Sequence, residues 1–307
     1  MTVATKRQPS LGGVMAALVT PLDEKGGLDV VASRRIVDHI LQNSVHGICP
    51  AGSTGEGALL PRSLRAELTA VVVEAAFSET WVIPGIIGTT LVAAREDLAA
   101  YADAGASAVL VGVPYYYGLD DEAIYRWYQE LADTSTLPLV LYNIPSMTKL
   151  AISRDVVARL ASHEQIIGMK DSSRDVVYFQ QIREVTVNTH FALLTGSDAL
   201  LLASIALGGD GLIGAGVNVV PALTSQLWTA IAEGNSSAAR TLQQRVARIV
   251  SVCAAAGVPV GFKAALSLLG LCQPFPALPL QSLRPQVADR FAAELRQLGV
   301  VPAQGVI

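Results

Sequence analysis

Short apolar runs alternate with amphipathic segments along most of this chain of 307 residues. Apolar runs that are continuous, rather than polar at every second position, are typical of parallel strands covered by helices on both faces. Eight strand-then-helix units fall between residues 14 and 233, which fits one barrel better than two doubly wound domains. The pattern therefore predicts the α/β class, as a (β/α)8 TIM barrel with a C-terminal helical extension.

The domain boundaries follow from where this alternation begins and ends. We predict an N-terminal tail over residues 1–12, the barrel over residues 13–234 and the C-terminal helical extension over residues 235–307. The extension contains three helical patterns and nothing that reads as a strand. No linker rich in Pro, Gly or Ser divides the chain, so we expect the extension to pack on the barrel.

The composition argues against several classes of protein. The net charge is −4 and the isoelectric point about 5.6, without a basic run, which argues against a nucleic-acid partner. We find no signal-peptide pattern and no apolar run of the ~18 residues that a membrane span needs. Cys49, Cys253 and Cys272 are far apart, which predicts buried thiols in a reducing compartment. These two observations together predict a cytoplasmic protein. The four histidines show no metal-ligand spacing, so we expect no metal site.

The segment at residues 166–173, IIGMKDSS, is an apolar run that ends in Lys170 and passes directly into residues that commonly cap helices. Lys170 should therefore stand where a strand gives way to a helix, at the edge where α/β proteins bind ligands. Loss of solvent at that position favours the neutral amine, which is the nucleophilic form. The alternative is a strand-end lysine that points into solvent. Lys263 lies in a helical pattern and is expected to be structural or solvated.

Polar side chains follow several of the other predicted strands. Because the carboxyl ends of all strands in a TIM barrel meet at one mouth, we expect these side chains to lie close together. A neutral lysine attacks a ketone to give a carbinolamine and then an imine, and this route needs a proton shuttle such as a tyrosine bonded to a second hydroxyl. A Gly-rich turn can hold a carboxylate through its N–H groups. The candidates in chain order are Ser53, Thr54, Tyr115, Tyr116, Tyr117, Tyr142, Asn143, Lys170, Gly196 and Asp198.

Each of these segments also allows a purely structural interpretation. Residues 53–55 could form only a tight turn, and Tyr142 could simply fill the top of the barrel. The tyrosines at 115–117 could form a subunit contact, because tyrosine is enriched at interfaces. The glycines at 208–216 could bind phosphate, but residues 212–217 offer no Lys, Arg, Ser or Thr, so we favour close packing there.

Three segments in register resemble the signature motifs of the dihydrodipicolinate synthase / N-acetylneuraminate lyase family. They are Gly52-Ser53-Thr54-Gly55-Glu56, Tyr142-Asn143-Ile144-Pro145 and Gly168-Met169-Lys170-Asp171. The resemblance extends from about residue 13 to the C-terminal helices. It implies a TIM-barrel, class I carbon–carbon lyase that handles pyruvate through a covalent Schiff base, needs no cofactor, and is usually a homotetramer built as a dimer of dimers.

The same resemblance implies a role for each matching polar residue. Lys170 would form the Schiff base with pyruvate or another 2-oxo acid, and Tyr142 would be the proton shuttle. Ser53 and Thr54 would hold the pyruvate carboxylate and link to Tyr142. Tyr116 matches the tyrosine that family members lend across the dimer to the relay of the neighbouring subunit.

Other positions carry information about the second substrate. Gly196 and Ile213 match residues that line the pyruvyl pocket of the family. In the synthase an arginine holds the carboxylate of aspartate semialdehyde, and Met147 stands here instead, which removes on the order of 2–5 kcal/mol of recognition. Lys149 is no bidentate substitute. Sialic acid lyase fits poorly because Ala replaces the acid that follows Asp198. The candidates to meet substrate hydroxyls are Asp198, Ser172 and Asn218.

Three hypotheses for the function follow. The first is reversible cleavage of a 2-keto-3-deoxy (sugar) acid to pyruvate and an aldehyde, with the imine as electron sink. The second is 4-hydroxy-tetrahydrodipicolinate (dihydrodipicolinate) synthesis from pyruvate and aspartate semialdehyde. The third is a non-catalytic protein that binds 2-oxo acids. Met147 favours the first over the second, and the intact set of lysine, tyrosine and serine argues against the third.

Overall fold

The computed structural model describes residues 10–302, and the predicted alternation of strands and helices runs through them. Nearly every strand residue is buried, as expected of parallel strands that are covered on both faces. The strands are β1 Gly13–Ala17, β2 Gly47–Cys49, β3 Trp81–Val82, β4 Gly85–Ile86, β5 Val109–Gly112, β6 Leu139–Asn143, β7 Ile166–Asp171, β8 Ala192–Thr195 and β9 Gly211–Gly214.

The strands close into one parallel barrel, which confirms the predicted fold class. Their order is β3-β2-β1-β9-β8-β7-β6-β5-β4, and the paired strands are all parallel. The sequence predicts one strand over residues 81–87, and the structure splits it into β3 and β4 around Pro84. Proline has no N–H to donate to a strand ladder, which accounts for the interruption. Because β3 pairs with β2 and β4 pairs with β5, this stretch completes the barrel.

Helices follow the strands and cover the outside of the barrel. Asp29, Asp120 and Ser153 cap α1, α4 and α6 as predicted, each accepting from a backbone N–H of the first turn. The helices are α1 Val30–Leu41, α2 Arg62–Ala75, α3 Leu91–Asp103, α4 Asp121–Ala132, α5 Pro145–Thr148, α6 Arg154–Leu160, α7 Val176–Thr186, α8 Leu201–Ala206, α9 Pro221–Ala232, α10 Ser236–Ala255, α11 Val260–Leu268 and α12 Pro285–Gln297.

The segment after Lys170 differs from its prediction. The pattern predicts a helix start at residues 171–173, and this prediction is wrong. Strand β7 continues through Asp171, and α7 begins only at Val176, with Asp175 as its N-cap. Pairing with both neighbouring strands holds Asp171 in the sheet, and its carboxylate accepts from Asn143 instead of from a helix start.

The core has an inner and an outer part. The outer part lies between strands and helices and includes α10, α11 and α12, so the C-terminal extension packs on the barrel as predicted. The three cysteines are buried free thiols. Within residues 10–302, no helix by itself has the length and apolar composition of a membrane span, and α10 with α11, bent by 112°, passes only as a pair. The inner part fills the barrel and includes Met15, Ala17, Cys49, Leu110, Val140, Tyr142, Leu194 and Ile213.

Candidate active site at the mouth of the barrel

Lys170 lies one residue before the end of β7, at the mouth that the resemblance singles out. Its side chain is only 5% exposed, so the alternative of a lysine pointing into solvent is wrong. Lys170 is level with Tyr142 of β6 and Leu194 of β8 in the sheet. Neighbours in register point to the same face, and Tyr142 and Leu194 belong to the cluster inside the barrel. The Lys170 amine is therefore held inside the mouth, where its Nζ lies 4.5 Å from the centroid of the Tyr142 ring.

Tyr142 meets a second hydroxyl at the same mouth. The Tyr142 hydroxyl and the Ser53 Oγ atom are 3.2 Å apart, although the two residues belong to different strand-and-loop units. Tyr142 is buried and Ser53 partly buried, so the pair is shielded from most of the solvent. This is the arrangement that a hydroxyl relay requires, and the role of proton shuttle stays a prediction.

Ser53 and Thr54 lie in a tight turn between β2 and α2. The Thr20 hydroxyl donates to the carbonyl of Gly55 at 2.6 Å and holds the turn against the loop that follows β1. A Cβ atom at Gly57 would lie 1.8 Å from a backbone carbonyl oxygen, so only glycine fits there. The turn is thus fixed by backbone contacts, and Thr54 is buried within it. The interpretation as a tight turn is correct, and it does not exclude a role in binding.

A buried hydrogen-bond network holds together the strand ends that carry the tyrosine and the lysine. The carboxylate of Asp171 accepts from the side-chain amide of Asn143 at 2.8 Å and from the hydroxyl of Ser173 at 2.8 Å. Burial raises the pKa of Asp171, while these two donors oppose the rise. Because Asn143 follows Tyr142 and Asp171 follows Lys170, the network fixes the spacing of the two candidate catalytic residues.

Gly196 and Ile213 lie against this centre, as the resemblance implies. A Cβ atom at Gly196 would be 3.0 Å from Cε of Lys170 and 1.9 Å from Oγ of Ser172, so the glycine makes room for the lysine. Ile213 of β9 belongs to the cluster inside the barrel, together with Tyr142. These positions are compatible with residues that line a pyruvate pocket, and that role stays a prediction.

Asp198 and Asn218 use their side chains to hold backbone segments. The buried Asp198 carboxylate accepts from the N–H of Gly216 at 3.0 Å, and burial raises the pKa of Asp198 to about 6. The Asn218 amide donates to the carbonyl of Ala17 at 2.7 Å, and its oxygen accepts from the N–H of Val19 at 3.1 Å. These bonds give Asp198 and Asn218 a structural role at the mouth that does not depend on a substrate. Contact of Asp198 with a substrate hydroxyl stays a prediction.

A cavity of about 320 Å³ adjoins Ser53. Its walls are mostly apolar, and no Lys, Arg or His of residues 10–302 lines it. Met147 lies on its edge and is 50% exposed, so the position at which the synthase has its arginine carries no positive charge here. Pro259 and Leu280 belong to the C-terminal extension and form part of the cavity wall, so the extension contributes to the mouth. The apolar lining residues include Ile87, Val113, Ile144, Met147, Pro259 and Leu280.

The tyrosines after β5 lie at the surface of the single chain. Tyr116 is 77% exposed and packs edge to face against Tyr117, with ring centroids 5.0 Å apart. Exposure of this size leaves Tyr116 free to contact another subunit. Its contribution to a neighbour's relay stays a prediction.

Glu56 and Lys263 form a buried ion pair that the sequence did not reveal. Both side chains are 0% exposed, so Lys263 is structural rather than solvated. Burial lowers the pKa of Lys263, and the Glu56 carboxylate opposes this shift. The position of Glu56 within the motif at residues 52–56 was the only available signal, because its partner lies in a distant helix. In the part of the chain that the structure describes, no cluster of His, Cys, Asp or Glu could hold a metal.

Comparison with known proteins shows the family of this chain and agrees with its fold. The sequence model of the Dihydrodipicolinate synthetase family matches residues 10–298. The chain is 32% identical over 286 residues to the 4-hydroxy-tetrahydrodipicolinate synthase of Methanothrix thermoacetophila, covering 93% of this chain and 95% of the relative. It is 34% identical over 295 residues to the enzyme of that name from Chlorobium phaeobacteroides, covering 95% and 98%. The chloride-inhibited dihydrodipicolinate synthase from Acinetobacter baumannii, solved with pyruvate, is 28% identical, with a TM-score of 0.90 over 95% of this chain and 100% of that one.

Proposed function

Because the chain belongs to the Dihydrodipicolinate synthetase family, we propose that Lys170 is the residue on which it binds pyruvate. Enzymes of this family are class I pyruvate-dependent lyases and synthases that use a lysine Schiff base and need no metal or cofactor, and this chain is an enzyme of that kind. The observation that carries the assignment is the position of Lys170, a buried amine beside the hydroxyl pair of Tyr142 and Ser53.

The first steps follow from the geometry of the mouth. The Lys170 amine adds to the C2 carbonyl of pyruvate, and loss of water leaves an imine. Ser53 and Thr54, with the N–H groups of their turn, hold the pyruvate carboxylate. A proton then leaves the pyruvate methyl group, and the imine becomes an enamine. Tyr142 moves this proton through the hydroxyl of Ser53, which lies 3.2 Å from its own.

The enamine then joins an aldehyde. Its carbon forms the new C–C bond with the aldehyde carbon, and the aldehyde oxygen takes a proton from Tyr142. Addition of water to the imine then breaks the C=N bond, which releases the product with its keto group restored and returns the Lys170 amine for the next turnover. Every step is reversible, so the same residues can cleave as well as join, and the aldehyde that the cavity accepts decides the reaction.

The first candidate aldehyde is aspartate semialdehyde, which makes the chain a 4-hydroxy-tetrahydrodipicolinate synthase. The names of the two relatives support this reaction, which was the second hypothesis from sequence, better than the sugar-acid lyase that stood first. The coverage of at least 93% of this chain also supports a shared activity.

A second candidate is reversible aldol cleavage of a 2-keto-3-deoxy acid. Met147 supports it, because an uncharged residue there leaves the carboxylate of aspartate semialdehyde without its charge-assisted partner. The mostly apolar cavity beside Ser53 offers no other cation among residues 10–302.

One pair of parallel assays separates the candidates. Pyruvate and aspartate semialdehyde are supplied to one sample, and a panel of 2-keto-3-deoxy acids to the other. Consumption of pyruvate in the first supports the synthase, and release of pyruvate in the second without turnover in the first supports the aldolase. Covalent capture of pyruvate without turnover in either assay would favour the third hypothesis, a 2-oxo-acid binding protein.

We also propose that the protein is a cytoplasmic homotetramer, a dimer of dimers, in which Tyr116 contacts the neighbouring subunit. The 77% exposure of Tyr116 in the single chain supports this contact. Light scattering gives the mass of the particle, and a monomer with full activity would contradict the proposal.

A further inference from the structure

The buried ion pair of Glu56 and Lys263 joins two parts of the chain that have different roles. Glu56 ends the motif that carries Ser53, and Lys263 lies in α11 of the C-terminal extension. The other Glu56 carboxylate oxygen accepts from the backbone N–H of Ala277, and Lys263 Nζ donates to the carbonyl of Phe275 at 2.8 Å. One carboxylate and one amine therefore fasten the turn to both the helix and the loop that follows it.

The turn that contains Ser53 and Glu56 is rigid, so the two residues move together. Glu56 has a φ of +61°, in the left-handed region that costs energy for a residue with a side chain. Its N–H donates to the carbonyl of Ser53 at 3.3 Å, so the two residues belong to the same turn. Because Gly55 and Gly57 on either side of Glu56 pack against backbone atoms, the turn holds its shape as one unit. Displacement of Glu56 would carry Ser53 with it.

We infer that Glu56 and Lys263 are positioning residues, and that their pair locks the C-terminal extension to the turn so that Ser53 stays within hydrogen-bond distance of Tyr142. This inference rests on the proposed proton relay between Ser53 and Tyr142. Glu56 borders the cavity beside Ser53, but the side chains of both Glu56 and Lys263 are 0% exposed, so we assign neither a contact with substrate. They act through Ser53.

The energetics of buried charge support positioning rather than stability as the reason for the pair. Two apolar residues of similar size commonly stabilise a core as well as a buried ion pair does, because the charges must first lose their water. Burial lowers the pKa of Lys263, which is the sign of that cost. Apolar contacts also lack the directional hydrogen bonds that these two side chains make to Ala277 and Phe275, and those bonds fix the turn relative to the loop after α11.

The test is a double-mutant cycle between Glu56→Gln and Ser53→Ala. The readout is exchange of the pyruvate methyl hydrogens with deuterium from D2O, followed by NMR, which requires the relay but no aldehyde. We expect Glu56→Gln to slow exchange about 10- to 100-fold, as a misplaced catalytic group does. If Glu56 acts through Ser53, the double variant exchanges no more slowly than Ser53→Ala alone. Losses that multiply would overturn the inference, as would exchange at the wild-type rate in Glu56→Gln.

A second pair of variants separates positioning from stability. Adding Lys263→Met to Glu56→Gln removes the unpaired charge, so the Tm should recover while exchange stays slow. Recovery of both together would mean that the pair acts only through stability. Arg183→Met is the matched control, because Arg183 bonds Asp210 and three backbone carbonyls at the opposite end of the barrel. It should lower the Tm and leave exchange unchanged.

Failure of the proposed function is recognised in the wild-type protein before any variant is compared. Wild-type protein that neither captures pyruvate on Lys170 nor exchanges its methyl hydrogens has no relay for Glu56 to position, and the inference falls with the proposed function. Wild-type exchange with an unaffected Glu56→Gln overturns only the inference.

Discussion

The Nζ atom of Lys170 lies 4.5 Å from the ring centroid of Tyr142, and the two residues are direct partners in the pairing of β6 with β7. Their backbones are fixed by the ladder, and the network of Asn143 and Asp171 adds a side-chain bond one residue further along. The amine and the phenol are consequently set by the most rigid part of the fold. Small changes at this end of the barrel should therefore appear in chemistry before they appear in stability.

Covalent capture should occur at Lys170 and at no other lysine. Borohydride reduces the imine that pyruvate forms with a lysine, and peptide mapping by mass spectrometry then locates the adduct. We expect the adduct on Lys170 and its complete loss in Lys170→Ala. Lys263 is the internal control, because it is buried without exposed surface and bonded to Glu56 and Phe275. An adduct on Lys263 would refute the assignment of the active site.

Removal of one hydroxyl should separate the chemistry from capture. Tyr142→Phe keeps the ring against Lys170 but loses the relay, so we expect turnover to fall about 10²- to 10⁴-fold, the usual contribution of a positioned acid or base. Borohydride capture of pyruvate should fall much less. Tyr125→Phe is the control, since Tyr125 lies on α4 with Arg159 over its ring, and it should retain turnover. Equal loss of capture and turnover in Tyr142→Phe would contradict a role as proton shuttle.

Much of the barrel could be predicted from sequence because its signals are local. Asp29, Asp120 and Ser153 identify helix starts through bonds within a single turn, and each strand shows itself as a short apolar run. The prediction of a cap at residues 171–173 is wrong because sheet pairing on both sides of Asp171 extends the strand. Local propensity gave no measure of that competition.

The candidate site shows the same division. The family motifs predicted that Ser53, Tyr142 and Lys170 lie at one mouth of the barrel. In the structure Tyr142 contacts both of the other residues. The pair of Glu56 and Lys263 could not be predicted, because only the folded C-terminal extension makes them neighbours. Nothing in the pattern around Lys263 distinguishes a buried partner from a solvated lysine.

Added bulk at Gly196 should obstruct the amine of Lys170. A Cβ atom there would lie 1.9 Å from Oγ of Ser172 and 3.0 Å from Cε of Lys170, so the serine hydroxyl must move away and the lysine must shift by a few tenths of an ångström. We expect Gly196→Ala to slow imine formation about 10- to 100-fold, measured by the rate of borohydride capture. Gly88→Ala is the control, because a Cβ atom at Gly88 meets nothing within 4 Å. Unchanged capture in Gly196→Ala would show that the pocket does not press on Lys170.

A positive charge at residue 147 should favour aspartate semialdehyde. Met147 is 50% exposed at the edge of the cavity, so water weakens any new ion pair, and we expect Met147→Arg to lower the KM for the semialdehyde about tenfold. Met147→Gln tests polarity without charge and should leave the KM unchanged. The KM for pyruvate should not move in either variant. An unchanged KM for the semialdehyde in Met147→Arg would mean that the carboxylate of this substrate binds elsewhere in the mouth.

Asp198 should make the stability of the fold depend on pH. Burial raises its pKa from 3.8 to about 6, so the folded protein holds this proton more tightly than the unfolded chain does. The stability that the proton brings is complete below the unfolded pKa and is lost as the pH rises through the folded one. The difference in pKa corresponds to about 3 kcal/mol.

The isosteric variant Asp198→Asn isolates this contribution, because its amide oxygen can still accept the N–H of Gly216. We expect the free energy of unfolding of the wild type, measured relative to that of Asp198→Asn by urea titration at one protein concentration, to fall by about 2 kcal/mol between pH 4 and pH 7, since pH 4 already lies just above the unfolded pKa. The charged carboxylate above pH 6 is the less stable form, so the variant gains most at neutral pH. A difference that stays constant over this range would mean that Asp198 is ionised throughout, and that donors at the mouth offset its burial.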